Sequence, residues 1–375
     1  MKVASLRIGL IGPLPPPSGG MANQTRQLAR LLSEENIKVS VVQVNSHYRP
    51  AWIHKLRGLR ALFRLFFYIL SLWRVAGQVD LFHIMANSGW SWHLFTAPAI
   101  MIARLRGVAV VVNYRGGGAG DFFSSSFRWV NLSLKHASVV VVPSGFLEKV
   151  FVGYGIQPRI VPNIIDVEKF LSKQHEAKVE NGNNPVIFVA RNLEVIYGID
   201  VLIQAFKKVS VVYPDAQLII AGIGPEHSSL LALAKQLDVE ERITFLGRID
   251  NDQMVDIYQR TTVAVNPSRV DNMPISILEA LACGVPVVST NAGGIPYMVE
   301  NGETALLVPV DDVNDMANAI TKVLSEYEVR EKLIRQGRDS INTYTWPHVK
   351  KKLFSVYESV LDEKLNNFTD AEKGV

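Results

Sequence analysis

Residues 263–300, VAVNPSRVDNMPISILEALACGVPVVSTNAGGIPYMVE, read as strand, loop, helix, strand and loop, with Gly, Pro or Asn at every break. Val263–Val265 is short, apolar and β-branched, as a strand buried on both faces must be, and Val285–Ser289 repeats the pattern after Gly284 stops the helix. This is a βαβ unit, which commits the chain to the α/β class with a parallel sheet. Pro274 suits the first helical position. The backbone N–H groups of Ile275 and Ser276 are then open toward whatever lies ahead of the helix, and an anion such as a diphosphate fits there.

Two carboxylates bracket that helix end, Asp271 in the loop and Glu279 in the helix, with seven residues between them. Glu279 lies about one turn in and points back toward the N-terminus, so both acids can face one ligand. A sugar nucleotide asks for acceptors at its two ends, for the ribose and the sugar hydroxyls, and for donors at the diphosphate between. The plainer reading makes Asp271 a helix cap and Glu279 a solvated surface residue.

Pro-Ser, an acid, Met273-Pro274, then Glu279-Ala-Leu-Ala, Gly-x-Pro-Val-Val and Gly-Gly-Ile-Pro together resemble the donor site of the family-four retaining glycosyltransferases of GT-B fold. The resemblance runs over almost the whole chain and is strongest from Arg191 to Pro309. It implies two facing Rossmann-like doubly wound parallel-sheet domains with the active site in the cleft. The implied reaction transfers a sugar from a UDP- or GDP-linked donor with retention, with no obligatory metal and no other cofactor. By the same resemblance Asp271 addresses the sugar, where the family usually has a longer Glu, and Glu279 the ribose. Arg191 and the 273–276 turn (Met273, Pro274, Ile275, Ser276) meet the diphosphate. Gly222, Gly224 and Arg248 border the base, and Gly293 and Gly294 lie near the donor. Gly19 and Gly20 match the first domain's glycine loop. The sequence departs from the family twice: Arg115 stands where a histidine often ends a strand, and Tyr197 where a lysine usually precedes Gly198. Arg115 then serves a phosphate or an acidic acceptor, or lends its charge to the diphosphate. The two departures keep open a non-catalytic sugar-nucleotide-binding protein, beside an epimerase or hydrolase of the same fold.

A chain of 375 residues, 48% of them apolar, accommodates two packed domains. The expected division is an acceptor-side domain over 1–165, a nucleotide-sugar domain over 166–345, and a helix with a tail over 346–375 that crosses back onto the first domain. The first domain reads as strands at Leu6–Ile11, Val39–Val44, Asp80–Met85, Val108–Val112, Val139–Val142 and Arg159–Pro162. The second reads as strands at Val186–Ala190, Leu218–Ala221 and Ile243–Gly247, then the opening βαβ unit and Leu306–Val308. A closing helix starts at Pro347 and runs to about Lys364, with a frayed tail beyond Asn366. The net charge of +4 gives no ground for nucleic-acid binding. The lone Cys283 excludes an internal disulfide and reads as a small buried residue. The run Leu6–Ile11 is too short for a secretion signal, and no apolar stretch is long enough to span a bilayer.

Trp52–Arg74 is the exception to an otherwise ordinary pattern. It carries Lys55, Arg57, Arg60, Arg64 and Arg74 and no acid, beside an apolar face of Leu59, Leu62, Phe63, Phe66, Phe67, Leu70 and Trp73. Residues 52–74 are therefore expected to lie on a membrane surface, placing the protein in the cytoplasm at the inner face of the cell membrane, with a lipid-linked or saccharide acceptor. The competing reading is a core helix with solvated arginines.

Overall fold

The computed structural model describes residues 6–16, 19–46, 59–171 and 184–373. They group into two compact units, one drawn from 1–163 with 349–375 and the other from 164–348.

The first unit runs β1 (Arg7–Gly12), α1 (Gly20–Glu34), β2 (Lys38–Gln43), α2 (Leu59–Ala76), β3 (Leu81–Ala86), α3 (Ala97–Leu105), β4 (Ala109–Tyr114), α4 (Ala119–Leu134), β5 (Val139–Val142), α5 (Gly145–Val152) and β6 (Arg159–Ile160). Its sheet is parallel in the order β2-β1-β3-β4-β5-β6. Because parallel crossovers are right-handed, only the β1-to-β2 connection leaves α1 on one face, and the return over β1 sends α2 to α5 to the other. There Phe82, Ile84, Val110 and Val112 pack under Trp92, Phe123 and Phe151.

The second unit continues with α6 (Val167–Leu171), β7 (Val186–Ala190), α7 (Ile199–Val212), β8 (Gln217–Ala221), α8 (His227–Gln236), β9 (Ile243–Gly247), α9 (Asn251–Arg260), β10 (Val263–Asn266), α10 (Ile275–Cys283), β11 (Val287–Thr290), β12 (Leu306–Val308), α11 (Val313–Ser325) and α12 (Tyr327–Ser340). Its parallel sheet has the order β12-β11-β10-β7-β8-β9. Both units are thus doubly wound α/β sheets. The final helix, α13 (Trp346–Lys373), gives its residues from 349 onward to the first unit. There Lys350 pairs with Glu35, and Val349, Leu353, Val356, Tyr357 and Val360 are buried.

Several boundaries differ from the sequence reading, each for a local reason. Pro274 is the N-cap of α10, with ψ 119°, and Ile275 is the first helical residue. Strand β11 starts at Val287, because the Val285 N–H is still engaged by Ala280 in closing α10 at the left-handed Gly284, and Pro286 has no N–H to give. Strand β4 continues through Asn113 and Tyr114. Helix α13 begins at Trp346 and persists to Lys373, with neither Gly nor Pro between Pro347 and Gly374 to stop it.

Candidate active site

In the second unit the carboxyl ends of β7 and β10 are neighbours, and this brings Arg191 to Asp271. The Arg191 Nη2 lies 2.7 Å from Asp271 Oδ2, with both side chains mostly buried. Arg191 Nε donates to Asn266 Oδ1 at 2.7 Å, and Asn266 in turn donates to Ser289 Oγ. Asp271 also accepts from the Ser268 hydroxyl and from the Asn272 backbone N–H. Tyr197, which stands where a lysine was expected, places its ring 5.6 Å from the Arg191 guanidinium. The missing charge is replaced by a flat surface that fixes the charge already present.

Glu279 sits just over one turn into α10, half-buried. The Tyr258 hydroxyl donates to the Ser276 carbonyl at 2.9 Å and reaches Glu279 Oε2 at 3.4 Å. Burial pushes the Glu279 carboxyl up to about 7, against the opposing pull of Tyr258, Arg191 and Lys169. Met273 and Pro274 are buried, Ile275 and Ser276 half-buried, and no side chain caps the N-terminus of α10. Asp271, Arg191 and this helix end therefore converge.

The glycines divide into two kinds. A Cβ at Gly222 would overlap the Arg191 carbonyl oxygen, one at Gly224 that of Leu193, and one at Gly294 that of Asn272. Gly294 N also donates to the Asp271 carbonyl, and Arg191 N to Ala221. These glycines hold the two loops of the cluster against their neighbours, backbone to backbone. Gly293, with φ 52°, lets the chain turn into Gly294. Gly19 and Gly20 instead face open space and line a cavity of about 390 Å³ in the first unit, with Arg64, Tyr68, Asn87 and Phe95. Arg248 is exposed at the end of β9 and pairs with none of the cluster.

Arg115 follows β4 in the first unit. Its Nε donates to Asn113 Oδ1 at 2.9 Å, the Asn113 amide lies 3.0 Å from His83 Nε2, and His83 Nδ1 lies 2.8 Å from Tyr357 Oη. Since Asn113 Oδ1 accepts from Arg115, its Nδ2 must donate to His83 Nε2, so the imidazole proton sits on Nδ1 and points at Tyr357. Complete burial drives His83 down to about 3, which keeps it neutral. Burial also lowers the Arg115 guanidinium to about 10, which leaves it cationic at neutral pH.

Residues 172–340 match the sequence profile described as glycosyl transferases group 1, and residues 18–169 match that of glycosyltransferase family 4. The chain belongs to the family-four glycosyltransferases. Among relatives of this family-four chain is the N-acetyl-alpha-D-glucosaminyl L-malate synthase of Bacillus anthracis, 28% identical over 55% of the chain and 54% of the relative's own length. The phosphatidyl-myo-inositol mannosyltransferase of Mycolicibacterium smegmatis is 24% identical over 95% of this chain and 94% of its own. Anabaena Alr3699/HepE, solved in complex with UDP-glucose, shares the fold with a TM-score of 0.74 at 19% identity, over 94% of this chain and 100% of that one. The family-four chain thus has the GT-B fold.

Three participants of the cluster escaped the sequence reading. Asn266 looked like loop punctuation, and Ser268 entered only as part of the Pro-Ser pair with no role of its own, although they orient Arg191 and Asp271. Tyr258 lies in α9, an ordinary amphipathic helix, and carries no sequence signal at all.

Proposed function

We propose that the protein is a retaining glycosyltransferase that moves a sugar from a nucleotide-sugar donor to a lipid-linked saccharide, lipid or polysaccharide-precursor acceptor at a membrane surface. The observation that carries the reading is the Arg191–Asp271 pair at the open end of α10: a cation and a helix terminus for a departing diphosphate, with an acceptor carboxylate beside them. The bond between the anomeric carbon and the diphosphate oxygen breaks, the acceptor oxygen bonds to that carbon on the same face, and its proton passes to the leaving phosphate. The two mostly full-length or half-length relatives named above carry names for glycosyl transfer to malate and to phosphatidylinositol, which supports an anionic or lipid acceptor. Incubation with a panel of sugar nucleotides and a cell-lipid extract, followed by mass spectrometry, tests it. A lengthened acceptor is expected; nucleotide binding with no turnover on any acceptor overturns it.

Glu279 is the proposed partner of the donor ribose. Glu279→Gln is expected to weaken nucleotide binding by about 1.5 to 3 kcal/mol, the value of a charge-assisted hydrogen bond. The wild-type affinity should also rise as pH passes 7, where the carboxylate forms, and the Gln variant should show no such rise. Stability runs the other way. A carboxyl whose folded value is raised favours the folded state fully below its unfolded value near 4.5, and this stabilisation is lost as pH climbs to about 7. Calorimetry across pH 6 to 8 (about one unit either side of the carboxylate transition) reads both, and an unchanged affinity in the Gln variant removes Glu279 from the donor site.

Membrane attachment is supported by the placement of α2. The helix buries Tyr68, Leu72 and Ala76 in the core, and the apolar stripe singled out from sequence faces outward: Leu62, Phe66, Leu70 and Trp73 are 64, 61, 54 and 46% exposed. Arg57 lies outside the described residues, as does the Arg60 side chain. Arg64 turns to the cavity, its guanidinium 5.9 Å from the Phe95 ring. Arg74 and Arg106 remain at the stripe, Arg106 over the Trp73 ring. One helix thus presents apolar groups outward and walls the cavity inward, as delivery of a lipid-borne acceptor requires. Among the described residues no helix is long and apolar enough to cross a membrane. Phe66→Ser with Leu70→Ser should reduce sedimentation with anionic vesicles at least tenfold at unchanged melting temperature, each apolar side chain contributing about 1.5 to 3 kcal/mol on burial. Wild-type protein that ignores the vesicles counts against attachment.

A further inference from the structure

We propose that Arg115 is the anchor for an oxyanion, a phosphate or a carboxylate, carried by the acceptor; only the word acceptor rests on the transferase reading. The guanidinium is held by one atom. Its Nε donates to the neutral amide of Asn113, while Nη1 is shut away from water with no partner. Among the described residues no carboxylate pairs with it. The side chain as a whole is half-buried, but an N–H closed off from water without an acceptor opposes folding. The missing partner is therefore sought outside the chain.

The surroundings prepare the group for such a partner. Asn113, His83 and Tyr357 form a neutral relay with a fixed proton order, so it positions the guanidinium without compensating its charge. Nη2, which is not among the buried atoms, is the amino group left to meet an oxyanion. The glycine run 116–118 comes next in sequence and α4 starts behind Gly118 with no side-chain cap, which leaves the first backbone N–H groups of a sixteen-residue helix uncovered. Asp121 is the acid in that first turn, and it is exposed. A Cβ at Gly116 would meet Asn87 and Ser88, and Asn87 also lines the 390 Å³ cavity, so the loop bearing Arg115 abuts one wall of that cavity. Burial of the guanidinium lowers its proton affinity but leaves it charged at neutral pH, as the role requires.

The test titrates the full chain with inorganic phosphate, succinate and dihexanoyl phosphatidate at constant ionic strength, by calorimetry, in wild type, Arg115→Gln, Arg115→Lys and Arg191→Ala. Saturable binding is expected in the wild type, at least tenfold weaker in Arg115→Gln, intermediate in Arg115→Lys, and retained in Arg191→Ala. Preference among the three probes separates a free phosphate, a carboxylate and a lipid headgroup. Arg115→Gln should melt at the same or a higher temperature, because it removes the buried unpaired N–H at Nη1. Binding equal to wild type in Arg115→Gln, binding abolished by Arg191→Ala alone, absence of saturable binding, or a lower melting temperature in Arg115→Gln each overturns the proposal. Nucleotide binding is measured separately on the same proteins. Its absence in the wild type sinks the transferase reading and leaves the oxyanion site standing.

Discussion

Replacing Arg191 with alanine is expected to lower the turnover number on the order of a hundredfold while changing affinity for the intact donor only a few-fold. The asymmetry comes from where charge develops. An intact sugar nucleotide already spreads its negative charge over both phosphates, whereas bond breaking concentrates a further charge on the terminal one, and a group aimed there gains most late in the reaction. Arg191 is prepared for that moment by Asn266 at Nε and the Tyr197 ring at its face. It also holds Asp271, 2.7 Å away. The alanine variant still leaves Asp271 the Ser268 hydroxyl and the Asn272 N–H, so the loop should survive the change. Steady-state kinetics at varied donor concentration checks this; a normal turnover number with only a raised Michaelis constant assigns Arg191 to binding alone.

The second large effect is on stability. Gly294→Ala should cost about 3 kcal/mol or more, because the added methyl collides with a backbone carbonyl that cannot rotate aside as a side chain would. The Asn272 carbonyl lies on the loop that carries Asp271, and Gly294 N is bonded to the Asp271 carbonyl. Relief of the collision therefore displaces Asp271 as well. Chemical denaturation is the measurement, with Gly20→Ala as the comparison, since a methyl at Gly20 meets open space. Equal losses in the two variants would contradict the steric account.

Those two glycines also show how far the sequence could be read. Buried parallel strands announce themselves through uninterrupted apolar, mostly β-branched runs, so Val139–Val142 and Val186–Ala190 were placed to the residue. The place of Glu279 about one turn into α10 was legible too, because helical geometry fixes it, whereas Asp271 lies in the loop ahead of that helix. A glycine, in contrast, records only that something comes close. At Gly19 and Gly20 the space ahead is a cavity, while at Gly222, Gly224 and Gly294 it is filled by the chain's own carbonyls, and no local pattern distinguishes the cases. Helix α2 illustrates a related limit. Its apolar content is spread around the axis, so periodicity found a stripe at Leu62, Phe66 and Leu70 but not that Tyr68 and Leu72 would be the residues turned inward. The Asn266, Ser268 and Tyr258 contributions depend on strands and helices far apart in sequence meeting at one point, which spacing does not encode.

The terminal helix has a consequence for synthesis on the ribosome. His83 in β3 has its Nδ1 partner in Tyr357, and the buried side chains from Val349 to Leu361 belong to the unit that opens the chain. That unit is assembled from both ends, with residues 164–348 translated between its parts. At about 5 to 20 residues per second, a nascent chain spends roughly ten to forty seconds with six strands made and their last covering helix not yet available. Over that interval the exposed flank of the opening sheet is a natural client for whatever chaperone meets it first, while the inserted unit, continuous in sequence, is free to finish folding ahead of the segment that precedes it.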